Sequence, residues 1–443
     1  MAAHATRIET QVGRALTPEE IFEITRARET SLSHLLMLYI TTGVVFMLLP
    51  GTFLGVWNLL AISSHRAANS VSAGWIQAHG HAQIFGWIGT FILGIGFYSV
   101  PKLRRMNPFA LRAAWVCWIF WTLGVSLRWL VGVYQWQWRV LLPASAAFEL
   151  VAFSIFFYSV SGHRPLDSGK QRLDEWVFVV IIAAVGLLVT LLVNLGATLF
   201  LAYRGGSPDL PSQFDERFLV LETWGFLVPF VWGFSAKWLP VFLGLRPVRG
   251  RLLLLAVAVN SVGVIAALLG WMRSAVLLLL GAIMVAVWAL RFLEPTQQAP
   301  KVKGVHASFP LFVRLAYVWA LVAACLGIWA SSVAGSHGIW GASRHALTVG
   351  FLATMVFSIG QRVLPAFSGM RLLFSTKLMF LSLLLLGLGC LLRVSSEILA
   401  YQGFASWAWS SLPVSALVEM TAVTIFAINL LATFMKRPTS QSA

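Results

Sequence analysis

Residues 81–101 read HAQIFGWIGTFILGIGFYSVP, and residues 345–365 read HALTVGFLATMVFSIGQRVLP. Laid over each other, the two share His-Ala at the start. They then share Gly86/Gly350, Thr90/Thr354, Ile95/Ile359, Gly96/Gly360 and Pro101/Pro365 at equal offsets. A third, worn copy ends at Pro240: Gly225 and Pro240 keep their offsets, and Val220 stands where the histidine belongs. Each copy is an apolar run long enough to cross a bilayer as a helix, which takes about 20 residues. Two such helices that open with a histidine at the same depth supply what an axially ligated haem needs inside a membrane.

The rest of the chain agrees with a membrane setting. Its 443 residues are 58% hydrophobic and 11% charged, with a mean hydropathy of +0.81. A soluble fold of this size has no interior large enough for that much apolar surface. Twelve spans are expected, at 34–60, 75–100, 110–133, 139–160, 176–203, 218–243, 252–270, 274–293, 310–333, 343–364, 375–400 and 409–434. The first 33 residues are polar, so no cleavable signal peptide is expected. Thr17-Pro18-Glu19-Glu20 carries the signature of a capped helix start, and an amphipathic segment over 1–32 is expected to lie on the membrane surface. Cys117, Cys325 and Cys390 all fall in apolar runs without a CxxC pair, which argues against disulfides and thiolate metal sites.

The net charge of +16 raises nucleic acid as a partner, and its distribution argues against it. Lys and Arg alternate between loops, 23 on the side of the two termini and 6 on the other. This bias places both termini in the cytoplasm, with the lipid bilayer as the chain's main partner. His81 and His345 then lie near the outer surface. The repeat also extends past the histidines. Leu142–Leu150 and Leu412–Met420 both read Leu-Pro-x-Ser-Ala-x-x-Glu, and Gly124 and Arg128 match Gly389 and Arg393. The economical description is an all-α polytopic protein of three four-helix pseudo-repeats, about 33–160, 176–293 and 310–435, followed by a tail at 436–443. Two halves of six, a common transporter plan, do not place echoes this way.

Charged residues inside spans need partners. Arg128 and Arg393 have two sets available: Glu149 and Glu419, or the propionates of a haem, which suit the fork of a guanidinium. His79 and His81 are two apart, so on a helix they diverge by about 200° and do not share one metal. The repeat register selects His81 as the partner of His345. His79 is left for a second metal site, for instance with His65 and His337. Glu222, two residues past Val220, is suited to a metal, to proton relay or to a structural hydrogen bond. Gly86, Gly89, Gly94 and Gly96 make one helix smooth, either for close packing or for a flat macrocycle.

Twelve spans, a His-x-His-Ala opening on the second and a histidine opening the tenth resemble the heme-copper oxidase subunit I fold. More closely, HGHAQIFGW (His79–Trp87) and HALTVGFLATM with QRVLPAFSG resemble the NnrS family. These are membrane proteins associated with the bacterial response to nitric oxide and described as containing haem and copper. The resemblance implies a haem, of b type, held by His81 and His345, with Arg393 and Arg128 on its propionates. It also implies copper at an unlocated site, nitric oxide or another small gas as a ligand, and the inner membrane of a bacterium as the setting. Two departures stand out. Ser343 occupies the position of the oxidases' second histidine on helix 10, and spans 6 and 7 carry none of their copper-binding histidines. The oxygen- or nitric-oxide-reducing binuclear centre is therefore not expected, and neither enzymatic turnover nor a redox partner is assigned. Two other readings stay open: a secondary transporter of a metal, haem or small anion, and an assembly factor for a respiratory complex.

Overall fold

A computed structural model describes residues 17–104, 109–161, 174–333 and 337–437. These fold into twelve long apolar helices, and no strand occurs among the described residues. In chain order they are α1 (Pro18–His65), α2 (Ala73–Leu103), α3 (Leu111–Tyr134), α4 (Trp138–Ser161), α5 (Glu175–Arg204) and α6 (Ser212–Leu243). There follow α7 (Gly250–Leu268), α8 (Met272–Ala289), α9 (Phe309–Ser332), α10 (His337–Phe367), α11 (Thr376–Tyr401) and α12 (Ala408–Met435). With an even number of spans, both chain ends lie on one face, called here the terminal face. Of the basic residues used for orientation, Arg7, Arg14, Arg105, Arg164, Lys170 and Arg172 lie outside the described residues.

The three-by-four plan is visible in the packing. Successive helices pair as hairpins within the outer units, α1 with α2, α3 with α4, α9 with α10 and α11 with α12, α7 pairs with α8 in the middle one, and α12 closes the ring against α1. In the best apolar stretch of each helix, 83% of residues are buried in α2, 72% in α10 and 61% in α6, against at most 56% elsewhere. The three repeat helices therefore form the inner layer. The outer helices turn Leu49, Phe200, Trp271 and Leu277 outward, as a lipid-facing surface requires.

One expectation changes at the N-terminus. Thr17 caps its helix as foreseen: Thr17 Oγ1 accepts from the Glu20 amide at 3.3 Å, and the Thr17 amide donates to Glu20 Oε2 at 2.9 Å. That helix does not lie apart on the surface, however. It runs unbroken into the first span, so residues 18–65 are one helix. Pro50 does not end it, because α1 absorbs the missing donor in a π-helical turn, Met47–Phe53.

The repeat helices carry π-helical turns in register. These run Ala82–Gly89 in α2, Leu221–Leu227 in α6 and Ala346–Ala353 in α10. Each begins one residue after the repeat position held by His81, Val220 or His345. The matched threonines support the wider turn by bonding five residues back, Thr90 Oγ1 to the Phe85 carbonyl at 3.4 Å and Thr354 Oγ1 to the Val349 carbonyl at 3.3 Å. The smooth side of α2 serves packing. A Cβ at Gly86, Gly89, Gly94 or Gly96 would strike Phe46, Trp121, Tyr39 or Phe156 respectively.

The middle unit depends on a tighter contact. A Cβ on Gly186 of α5 would overlap the backbone carbonyl of Gly225 in the π-turn of α6. Backbone does not yield as a side-chain tip does, so Gly186→Ala is expected to destabilise by about 1–3 kcal/mol. Thermal unfolding in detergent checks this, with Gly196→Ala, which meets nothing within 4 Å, as the silent companion.

Candidate functional site

The inner helices enclose a cavity of about 390 Å³, in the size range of small-molecule and cofactor sites. Its polar groups fall into two lobes.

The first lobe holds His79 and His345. His79 sits on α2 against the π-turn of α1, where its Nδ1 donates to the Gly51 carbonyl at 2.8 Å. Gly55, one turn on, leaves the ring its room: a Cβ there would stand 2.7 Å from His79 Cε1. On α10, His345 Nδ1 donates to the Gly341 carbonyl at 3.0 Å and lies 3.3 Å from Glu397 Oε2. Both imidazoles line the cavity. A ring nitrogen facing a carbonyl must carry the proton, so each Nε2 keeps its lone pair. That is the tautomer of a metal-binding histidine with a second group fixing its orientation. The charges that bear on His79 are His345 and Arg393.

Glu397 organises the other side of this lobe. Its carboxylate spans His345 and, at 3.6 Å, Arg393 Nε one turn earlier on α11. A Cβ at Gly341 would overlap this carboxylate, so that position must stay bare. Arg393 is 6% exposed, and its Nε and Nη1 have no hydrogen-bond acceptor. The repeat-matched Glu419 lines the same cavity, buried and without a bond to its Oε1. The pair foreseen for Arg393 was Glu419. The observed one is Glu397, and the i, i+4 spacing on one helix is the signal that finds it.

His81 belongs to the second lobe. Its Nε2 lies 2.7 Å from Glu149 Oε1, fully buried, and its ring stacks on Phe85 at 4.5 Å. The repeat register thus selects an imidazole whose cavity-side nitrogen is already taken. Glu149 reaches it because Gly124 is bare, just as Gly389 admits Glu419 in the third unit. Glu149 was also foreseen as a partner of Arg128, and it bonds His81 instead. Arg128 is 4% exposed and makes no hydrogen bond or ion pair among the described residues, its Nε included. The charges bearing on it are Glu149, Asp215, Glu222 and Asp209. The structure therefore does not bring Arg128 together with His79 and His345. Val220 lines the cavity where the third histidine would stand, and Ser343 Oγ is spent on the Ala323 carbonyl at 2.8 Å. No three His, Cys, Asp or Glu side chains converge as a metal cluster among the described residues, so His65, His79 and His337 do not form one.

Sequence reasoning passed over Asp215, Asn194 and the Gly51 carbonyl. None has a repeat partner or a motif, and only the fold brings them to the cavity. The loop between α5 and α6 closes over it, with Gln77 donating to the Leu210 carbonyl at 2.9 Å and accepting from the Leu210 amide at 3.0 Å.

Comparisons with known proteins agree on the fold. A family described as a domain of unknown function (DUF8744) matches residues 239–433. No curated protein matches the chain. Among solved structures, a heme-copper terminal oxidase dimer determined by cryo-EM is similar with a TM-score of 0.71. The likeness covers 93% of this chain and 85% of that one at 12% identity. The chain therefore has the twelve-helix membrane fold of heme-copper oxidase subunit I.

Proposed function

We propose that the protein binds a haem through His79 and His345 and serves in the bacterial response to nitric oxide, in the manner of the NnrS proteins its motifs resemble. The observation that carries the reading is the pair of imidazoles facing one cavity, each with Nδ1 tied to a backbone carbonyl and Nε2 free. The donor set fits the group. His79 and His345 would hold its iron through their Nε2 atoms, and Arg393, buried with two unaccepted N–H groups, would meet a propionate. Without a CxxCH stretch the haem is held non-covalently, as a b type. The solved oxidase of the same fold is itself named for haem and copper. Any copper here belongs to a site other than a three-residue cluster of the described side chains.

When bound, the group supplies one-electron chemistry and, on loss of one imidazole, a position for a diatomic gas. The chain's own part is to hold and orient. The Gly51 and Gly341 carbonyls fix both tautomers, and Glu397 positions His345. Positive charge in the loops assigns the terminal face to the cytoplasm, which puts the cavity near the outer face of the inner membrane. The test is a visible spectrum of protein purified from haem-replete cells. Low-spin bands that shift when nitric oxide meets the reduced sample are expected, and a colourless protein overturns the reading. Unpaired Arg128 and Glu222 in the cavity favour a transporter as the second reading. It predicts solute uptake by colourless vesicles.

Gly55→Ala tests the packing behind the site. The added methyl crowds His79 Cε1, so the low-spin bands are expected to weaken in favour of high-spin ones while the protein stays folded. An unchanged spectrum would show that the ring is not held there.

A further inference from the structure

The second lobe takes no part in holding His79 and His345, yet it too carries unsatisfied buried groups. Arg128 on α3 makes no hydrogen bond or ion pair among the described residues. Glu222, in the π-turn of α6, is 5% exposed and likewise unbonded. Asn194 on α5 is 2% exposed, and its Nδ2 lacks an acceptor. Asp215, about two helical turns before Glu222, lines the same space. The remaining charged or titratable groups facing it are His81 and Glu149, bonded to each other, with Arg344, Asp209 and Glu216.

Each buried polar group left unsatisfied costs about 1–3 kcal/mol, and more when charged. Several in one polar cavity mark a place for water, which needs two to four polar partners. A small anion on Arg128 is disfavoured, because Glu149, Asp215, Glu222 and Asp209 all bear on that guanidinium. The space also shares a wall with the surface. Glu216, Met272 and Trp340 line both the cavity and a surface groove with Arg217 and Arg273 on the face opposite the termini.

We infer that this lobe is a proton entry route, leading from the face opposite the termini through Asp215 and Glu222 into the cavity. Chains of Asp, Glu and ordered water inside membranes serve this purpose. In the step, a hydronium ion in the groove gives a proton to the Asp215 carboxylate and leaves water. The Asp215 carboxyl passes it through hydrogen-bonded water to Glu222. Glu222 releases it to a basic or reduced ligand in the cavity, and both carboxylates are restored. No electron moves along the route. Arg128 keeps its charge throughout and steadies each carboxylate without a direct bond that would lock it. The inference does not need the haem, and its test uses no chromophore.

Full-length protein in liposomes is stepped between two pH values and followed by infrared difference spectroscopy in water and in D₂O. A carboxyl carbonyl band is expected that disappears in Glu222→Gln and survives in Glu419→Gln. Its titration shifts in Arg128→Gln and returns in Arg128→Lys, and its rapid deuterium exchange is lost in Asp215→Asn. Sidedness is read separately with Asp215→Cys in a Cys325→Ser background. A membrane-impermeant thiol reagent should label it only from the face opposite Lys436→Cys. Absence of a Glu222-dependent band, exchange indifferent to Asp215→Asn, or labelling from the terminal face overturns the inference. Asp215→Glu, which keeps the carboxylate, should retain the exchange, and its failure to do so would also count against the route.

Discussion

His79→Ala and His345→Ala are each expected to abolish the low-spin absorption bands of the purified protein, whereas His81→Gln keeps them. The asymmetry follows from what each ring nitrogen touches. His79 and His345 spend Nδ1 on the Gly51 and Gly341 carbonyls, and both residues line the cavity. His81 has its Nε2 against Glu149 at 2.7 Å, so ligation would require breaking a fully buried bond. Glutamine at position 81 still donates to Glu149 and avoids stranding that carboxylate, which makes it a cleaner probe than alanine. The measurement is the oxidised and reduced visible spectrum of the three variants beside the parent. Loss in His81→Gln with survival in His79→Ala would return the repeat-matched pair His81 and His345 to the axial positions.

Glu397→Ala is expected to destabilise the protein by about 3–5 kcal/mol, the cost of breaking a buried ion pair by removing one partner. Glu397 is the carboxylate within 4 Å of Arg393, at 3.6 Å, and it also lies 3.3 Å from His345 Nδ1. Without it the buried guanidinium has no close counter-charge, since its Nε and Nη1 already lack acceptors. Thermal unfolding in detergent gives the magnitude. Gly341→Ala should follow in the same direction, because its methyl displaces the same carboxylate. A Glu397→Ala change within about 0.5 kcal/mol, the range of ordinary surface substitutions, would mean that Arg393 turns to Glu419. That is the partner the repeat suggests.

The two lobes explain why one protein carries two copies of a similar His–Arg–Glu set with different roles. In the first unit the histidine is closed off by its glutamate. In the third unit the glutamate from α12 stands clear of the histidine, and a second one, Glu397, holds the imidazole from the Nδ1 side. Duplication supplied the residues twice. The packing of α1 beside α2 then gave His79, which has no counterpart in the third unit, a carbonyl to lean on.

Much of the fold was legible without coordinates. Span number and the three units of four follow from hydropathy and equal offsets, whereas the inner placement of the histidine helices is seen only in their burial. Hydropathy and offsets are local or periodic signals, and a bilayer leaves a helical chain few alternatives. The N-terminal segment was read as separate from the first span because its polarity changes near residue 33, whereas helix continuity depends on backbone hydrogen bonds that ignore such a change. The site was legible only in its residue types. His79, His81, His345, Arg128 and Arg393 line one cavity, although the two-residue spacing of His79 and His81 was expected to send them to different places. Which nitrogen is free is a matter of distances of a few tenths of an ångström. It depends on the π-turn around Pro50, the bare positions at Gly55, Gly124 and Gly341, and the reach of Glu149 and Glu397. Composition, period and repeat register determined that this chain is a twelve-helix membrane protein with histidines at matched offsets in two of its helices. Which nitrogen of His79 and of His81 is already bonded was decided by tertiary structure alone, because the Gly51 carbonyl and Glu149 come from other helices.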